Sequence, residues 1–176
     1  MEYKKRYIVL LAFLSLIGYI CYDIHQPNIM SDEEVADILG IPKAKILSKD
    51  GITDASLFPG LDDVVVYELS EATIEAFLAR PSHEINSIYY DDSYNKHGWY
   101  GTPMDTLRFS NEYESLLFHN KEKAREIMAK ACLFLKRGKG YYAFYYRGDS
   151  GDAMRGISFY ALDLENRKLY EMILWL

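Results

Sequence analysis

The chain has 176 residues, 49% of them hydrophobic and 26% charged, with a formal net charge of −6. A chain of this length buries a core without staples, and its composition is that of a globular protein, which excludes the disordered class. The acidic balance argues against nucleic acid as a partner, because a polyanion would be repelled.

The first twenty-four residues differ in character from the rest. Lys4, Lys5 and Arg6 precede the uncharged run Tyr7 to Tyr22, YIVLLAFLSLIGYICY, after which Asp23, His25, Gln26 and Pro27 end the apolar stretch. As a helix, the run reaches about 24 Å, against a hydrocarbon core of roughly 30 Å. Snorkelling lysines and local thinning cover the difference. No pair of small residues suited to cleavage stands near its end, and Ile20 before Cys21 does not suit lipidation. The run therefore reads as an uncleaved signal-anchor with Tyr7, Tyr19 and Tyr22 at the interfaces. A buried helix of a soluble protein is the alternative, and the basic flank and missing polar face favour the anchor. The expected arrangement is a single pass through a bacterial-type inner membrane. The N-terminus is then cytoplasmic, residues 1–24 form the anchor, 25–30 a linker, and 31–176 one periplasmic or extracellular domain.

Along that domain, Ser31-Asp32-Glu33-Glu34 is a capping box opening a short helix that Gly40 and Pro42 end. KAKILSKDGIT reads as a strand running into a Lys49-Asp50-Gly51 turn, and DDVVVYELS as a second strand. Ser70 caps a second helix, with Ile74, Phe77 and Leu78 at helical spacing up to Pro81. Residues 85–105 start as a strand through Tyr90 and then become a loop rich in Asp, Ser, Asn, Gly and Pro. Residues 120–137 are helical, with Ala124, Ile127, Met128, Ala131 and Leu135 on one stripe, and Gly138 follows. GYYAFYYR, MRGISFYALDL and KLYEMILWL are strands, the last two joined by a short hairpin connection through Glu165-Asn166-Arg167. The expected class is α+β: one mainly antiparallel sheet with a C-terminal three-stranded meander and helices packed on one face.

Charge divides the domain. Met30 to Phe118 carries 17 acidic and 6 basic side chains, and His119 to Leu176 carries 7 acidic and 11 basic ones. Either the acidic half meets a basic protein or a cation, or the two halves neutralise one another within the fold.

Candidate sites are few. RGDSGDA, residues 147–153, combines an adhesion tripeptide with a GDSG stretch resembling the nucleophile loop of trypsin-like peptidases. Asp152 stands where that pattern needs glycine, and the histidine context is missing, so a turn is the expected role. Asp149, Ser150 and Asp152 supply too few oxygens for calcium. Cys132 lies in the helical stripe and reads as a small buried hydrophobe, and with Cys21 in the anchor no disulfide framework can form. The more varied constellation is Asp91, Asp92, Tyr94, His97, Trp99 and Tyr100, with His83 and Glu84 upstream, where acid, imidazole and aromatic groups gather in one loop. The ligand-binding expectation falls there, against a loop merely anchored to the core by Trp99 and Tyr100. No catalytic triad, metal-ligand spacing or cofactor motif is evident.

These features point to a membrane-anchored, extracytoplasmic, non-enzymatic interaction domain. It would bind a protein, a basic one if recognition is electrostatic, or an envelope component, as an inhibitor or immunity-type neutraliser does. The alternative is a small envelope hydrolase or sugar-binding protein using the 91–100 loop.

Overall fold

The computed structural model describes residues 11–15, 29–55, 61–80, 94–96, 98–116, 122–149 and 152–175. Residues 11–15 (α1) are helical; Leu11, Phe13 and Leu14 are more than half exposed and belong to neither hydrophobic core. They are all that is described of the expected anchor. Among the described residues no helix is long and apolar enough to cross a membrane.

The class is α+β. After α2 (Asp32–Leu39) come β1 (Ile46–Ala55), β2 (Leu61–Leu69), α3 (Glu71–Leu78), β3 (Tyr94–Lys96) and β4 (Tyr100–Gly101). Two helices, α4 (Ser110–Ser115) and α5 (Glu122–Arg137), precede β5 (Gly140–Asp149), β6 (Asp152–Asp163) and β7 (Lys168–Trp175). Among the described residues every strand pairing is antiparallel, in the order β1-β2-β7-β6-β5-β3, with β4 pairing the same edge of β5 as β3 does. The meander β5-β6-β7 is formed as expected.

Local chemistry fixes the helix ends. Ser31 accepts from the Glu34 amide while the Glu34 carboxylate accepts from the Ser31 amide, the reciprocal capping box. Gly40 closes α2 at φ 61°, a left-handed conformation that costs glycine nothing. Ser70 caps α3 through the Thr73 amide, and Thr73 accepts from the Lys45 amide, tying that cap to the start of β1.

Helices cover both faces of the sheet, not one. On one face α2 and α3 pack Val35, Ile38, Leu39 and Phe77 against Val65, Tyr67, Leu69, Tyr160 and Leu162. On the other, α5 packs Ala124, Ile127, Met128 and Leu135 against Val64, Phe144, Phe159 and Met172. The reason lies in the strands: β5, β6 and β7 place apolar side chains at consecutive positions, and a strand apolar on both sides needs cover on both. The tyrosine-rich strand β5 thereby packs in the ordinary cross-strand way, Phe144 directly opposite Phe159 and Tyr145 reaching Tyr160 diagonally at 6.3 Å between ring centroids.

Two local expectations are corrected. Lys49-Asp50-Gly51 is no turn but the middle of β1, with Gly51 opposite Val65. A Cβ on Gly51 would lie 2.8 Å from Val65 Cγ2 and 2.9 Å from Val64 O, so the glycine serves a close approach between strands. Arg147, Gly148 and Asp149 belong to the end of β5, not to a turn, and Asp149 pairs with Asp152 of β6; Ser150 and Gly151 lie outside the described residues.

Candidate functional site

Of the loop constellation, Asp91, Asp92 and His97 lie outside the described residues, as do His83 and Glu84. Tyr94 pairs with Arg147 at the head of β3. Trp99 and Tyr100 are not brought together: they sit on opposite faces of the sheet. Trp99 is buried on the α2/α3 face, edge-on to Phe77 at 5.4 Å between ring centroids. Tyr100 lies half-buried on the α5 face, stacked on Tyr142 at 5.5 Å with the Arg108 guanidinium 5.3 Å above its ring. Both rings are engaged in packing, which is how an alternating edge strand disposes of consecutive aromatics.

Strand register builds a different site on the α5 face. Phe144, Phe159, Met172, Val64 and Ile52 form one cross-strand row. The next runs Tyr142, Ala161, Tyr170, Val66 and Asp50, and the next Asp163, Lys168, Glu68 and Ser48. The side chains thus change from apolar to polar row by row toward one end of the sheet. Helix α5 covers the apolar rows and leaves a groove over the polar one.

Two adjoining hollows make up this groove, of ≈ 230 Å³ and ≈ 460 Å³, which share Lys130, Lys168 and Tyr170 in their walls. Ile127, Leu133 and Arg137 line it from the helix, and Asn166 from the β6–β7 turn. Tyr170 is buried beneath it, and burial followed by the nearby Asp163 carboxylate raises its hydroxyl pKa. At the rim, Ser48 donates to Glu68 at 3.0 Å, and Lys123 bonds both Asp50 and the Gly51 carbonyl. Buried Asp163 accepts from the Asn166 amide at 3.0 Å and from its side-chain nitrogen at 2.7 Å. No signal along the chain marks this groove; only pairing of four strands assembles it.

The opposite face hides a carboxyl. Glu171, next to Tyr170 in β7, points the other way between Val65 and Tyr160 and is 3% exposed. Tyr67 donates to its Oε2 at 2.6 Å and Tyr160 to its Oε1 at 3.5 Å, while Tyr67 accepts from the Met30 amide at 3.0 Å. Loss of hydration pushes the Glu171 pKa up to about 7, against the lowering effect of the Tyr67 bond. A carboxyl enclosed in this way has no access to a ligand, and its place is in the stability of the fold.

Cys132 is buried beside α5's own core stripe, and burial pushes its thiol up, the opposite of a nucleophile's tuning. Among the described residues no group of three or more His, Cys, Asp or Glu side chains is placed to hold a metal ion. Comparison with protein-family models, with curated proteins and with solved structures gives no match.

Proposed function

We propose that the chain is a single-pass, membrane-anchored protein whose α+β domain stands outside the cytoplasm and binds another protein or an envelope component without catalysing a reaction. The observation that carries the tether is α1: Leu11, Phe13 and Leu14 stand exposed, and a helix serving as part of a soluble core would bury them. The basic cluster Lys4-Lys5-Arg6 supports a cytoplasmic N-terminus.

A basic partner is supported by the charge of the helical layers. Helices α2 and α3 carry six carboxylates and no cation, whereas α5 carries Lys123, Arg125, Lys130, Lys136 and Arg137 against two glutamates. Inhibition or immunity-type neutralisation of a basic protein would use the α2/α3 layer, where Glu33, Asp37 and Glu75 have no ion pair among the described residues. The hydrolase or sugar-binding alternative loses support from the separation of Trp99 and Tyr100.

The test expresses the full chain with a reporter after Leu176, alone and with Leu11→Arg/Leu14→Arg, and follows alkaline membrane extraction. The wild type stays with the membrane with its reporter active outside the cytoplasm, and the double variant is released. A reporter active only in the cytoplasm refutes the topology. Cross-linked capture from the same cells, lost on Glu33→Lys/Asp37→Lys/Glu75→Lys, identifies the acidic layer as the contact; capture unchanged by those reversals removes it.

A further inference from the structure

The polar groove on the α5 face has no part in the reading above and stands without it. We propose that it binds a small, hydroxylated phosphate monoester, with the phosphate held by Lys130 and Lys168 and the hydroxyl groups by Glu68 and Ser48.

Charge is the first argument. Lys130, Lys168 and Arg137 bring cations to the groove, and none of them has an ion pair among the described residues, whereas Lys49, opposite Tyr67, has its side chain on the other face of β1. Neighbouring cations are already matched: Lys123 with Asp50, Lys139 with Glu165, and Arg167 with Glu71. Of the carboxylates lining the groove, Asp50 and Glu165 are neutralised in those pairs, which leaves Glu68 and Asp163, held by a hydroxyl and an amide. Three cations over two carboxylates leave the groove net positive. A phosphate monoester, which carries about −1.5 to −2 at neutral pH, is of the sign that such a groove attracts.

Shape and chemistry narrow the class further. Of the two hollows that share a wall, the one of ≈ 460 Å³ falls within the roughly 300–1,000 Å³ of small-molecule sites and the one of ≈ 230 Å³ extends it, which suits a single small ester. Lys130 comes from the helix and Lys168 from the sheet, so their ammonium groups flank the groove from two walls, and lysines serve phosphate as point charges. Glu68 offers acceptor oxygens beside Lys168, its cross-strand partner, and a ligand bearing only an anion would leave them unused. Ile127, Val66 and the ring of Tyr170 supply an apolar floor for a carbon skeleton.

Calorimetric titration of the full chain in detergent micelles tests this with four probes: glucose 6-phosphate, inorganic phosphate, glucose and sulfate. Expected are saturable uptake of glucose 6-phosphate, weaker uptake of inorganic phosphate, and none of glucose. Lys130→Ala and Lys168→Ala each weaken the ester by about tenfold, the loss of one charge-assisted contact. Arg108→Ala, which alters a cation over Tyr100 away from the groove, leaves it unchanged. Should Lys168→Ala fail to fold, Lys130→Gln on the exposed helix surface replaces it. The proposal is overturned if neither phosphate probe saturates, if uptake survives both lysine variants, or if sulfate binds as tightly as the ester.

Discussion

The two faces of the sheet alternate from the same strands and yet treat their polar side chains in opposite ways. On the α2/α3 face the row Gly51, Val65, Glu171, Tyr160 and Ala143 encloses its one carboxyl completely, with two tyrosine hydroxyls assigned to it. On the α5 face the row Ser48, Glu68, Lys168 and Asp163 lies at the border of the helix, and only Asp163 is enclosed. Tyr170 and Glu171, adjacent in β7, invert the common arrangement, since the aromatic side chain floors the groove and the acid sits in the core. An enclosed polar group must be satisfied internally and so governs stability, whereas one left at a border keeps its capacity for an outside ligand.

The widest contrast between the faces is expected at their two adjacent aromatics. Trp99→Ala empties a buried site against Phe77 and costs about 3–5 kcal/mol, as large-to-small core changes do. Tyr100→Ala, half-buried on the other face, costs about 1–2 kcal/mol. Urea unfolding of both variants measures the difference; equal losses would mean that the faces are not packed unequally at this edge. A binding defect in Trp99→Ala therefore reports loss of fold, not loss of a contact.

Glu171 gives the next effect, and it is one of pH. Its pKa is raised from 4.5 to about 7 in the folded protein, so the native state holds the proton more tightly than the unfolded chain. The stability this confers is fully present below pH 4.5, falls as pH rises, and is gone above about 7, a difference of about 3 kcal/mol. The groups around it reinforce the direction: Asp63 and Glu34 raise the value, and only the hydroxyls of Tyr67 and Tyr160 lower it. Glu171→Gln, neutral at every pH, should lack this slope, so the variant gains on the wild type between pH 4.5 and 7.5. Parallel stability curves would show that Glu171 is not enclosed in solution. Tyr67→Phe is expected to follow, at about 1–3 kcal/mol, because it strips a partner from both the buried carboxyl and the Met30 amide.

What could be foreseen from the chain was whatever depends on neighbours in sequence. The Ser31 capping box, the Ser70 cap, the left-handed Gly40, the stripe of α5 and the strands of the meander all follow from spacing over a few residues. Gly51 misled because Asp-Gly is common turn chemistry, and only the presence of Val65 opposite makes it a strand residue. Helices on one face was an error of the same kind: FYALDL carries apolar side chains in both alternation phases, a signal for cover on both sides. Trp99 and Tyr100 looked like one cluster because they are adjacent, and pleating separates them. The groove was invisible since Ser48, Glu68, Lys130, Asp163 and Lys168 are scattered over 121 positions of the chain and meet only through register and the path of α5.

The smallest expected effect is the most direct check on the contrast between the faces. Lys130 and Lys168 make no ion pair among the described residues, and Lys130 stands exposed on α5. Truncating either to alanine removes a charge from the groove without opening a cavity or leaving a buried partner behind. Each change should therefore shift stability by less than about 0.5 kcal/mol. Removal of Lys168 also takes away the cation that stands between Glu68 and Asp163 in the row, so a slight loss there and none at Lys130 is the expected order. Adding phosphate should raise the unfolding midpoint of the wild type and leave both variants behind, since a ligand bound only to the native state stabilises it in proportion to its occupancy. Were Lys168→Ala instead as damaging as Tyr67→Phe, the polar row would be part of the core, and the two faces would differ in composition but not in role.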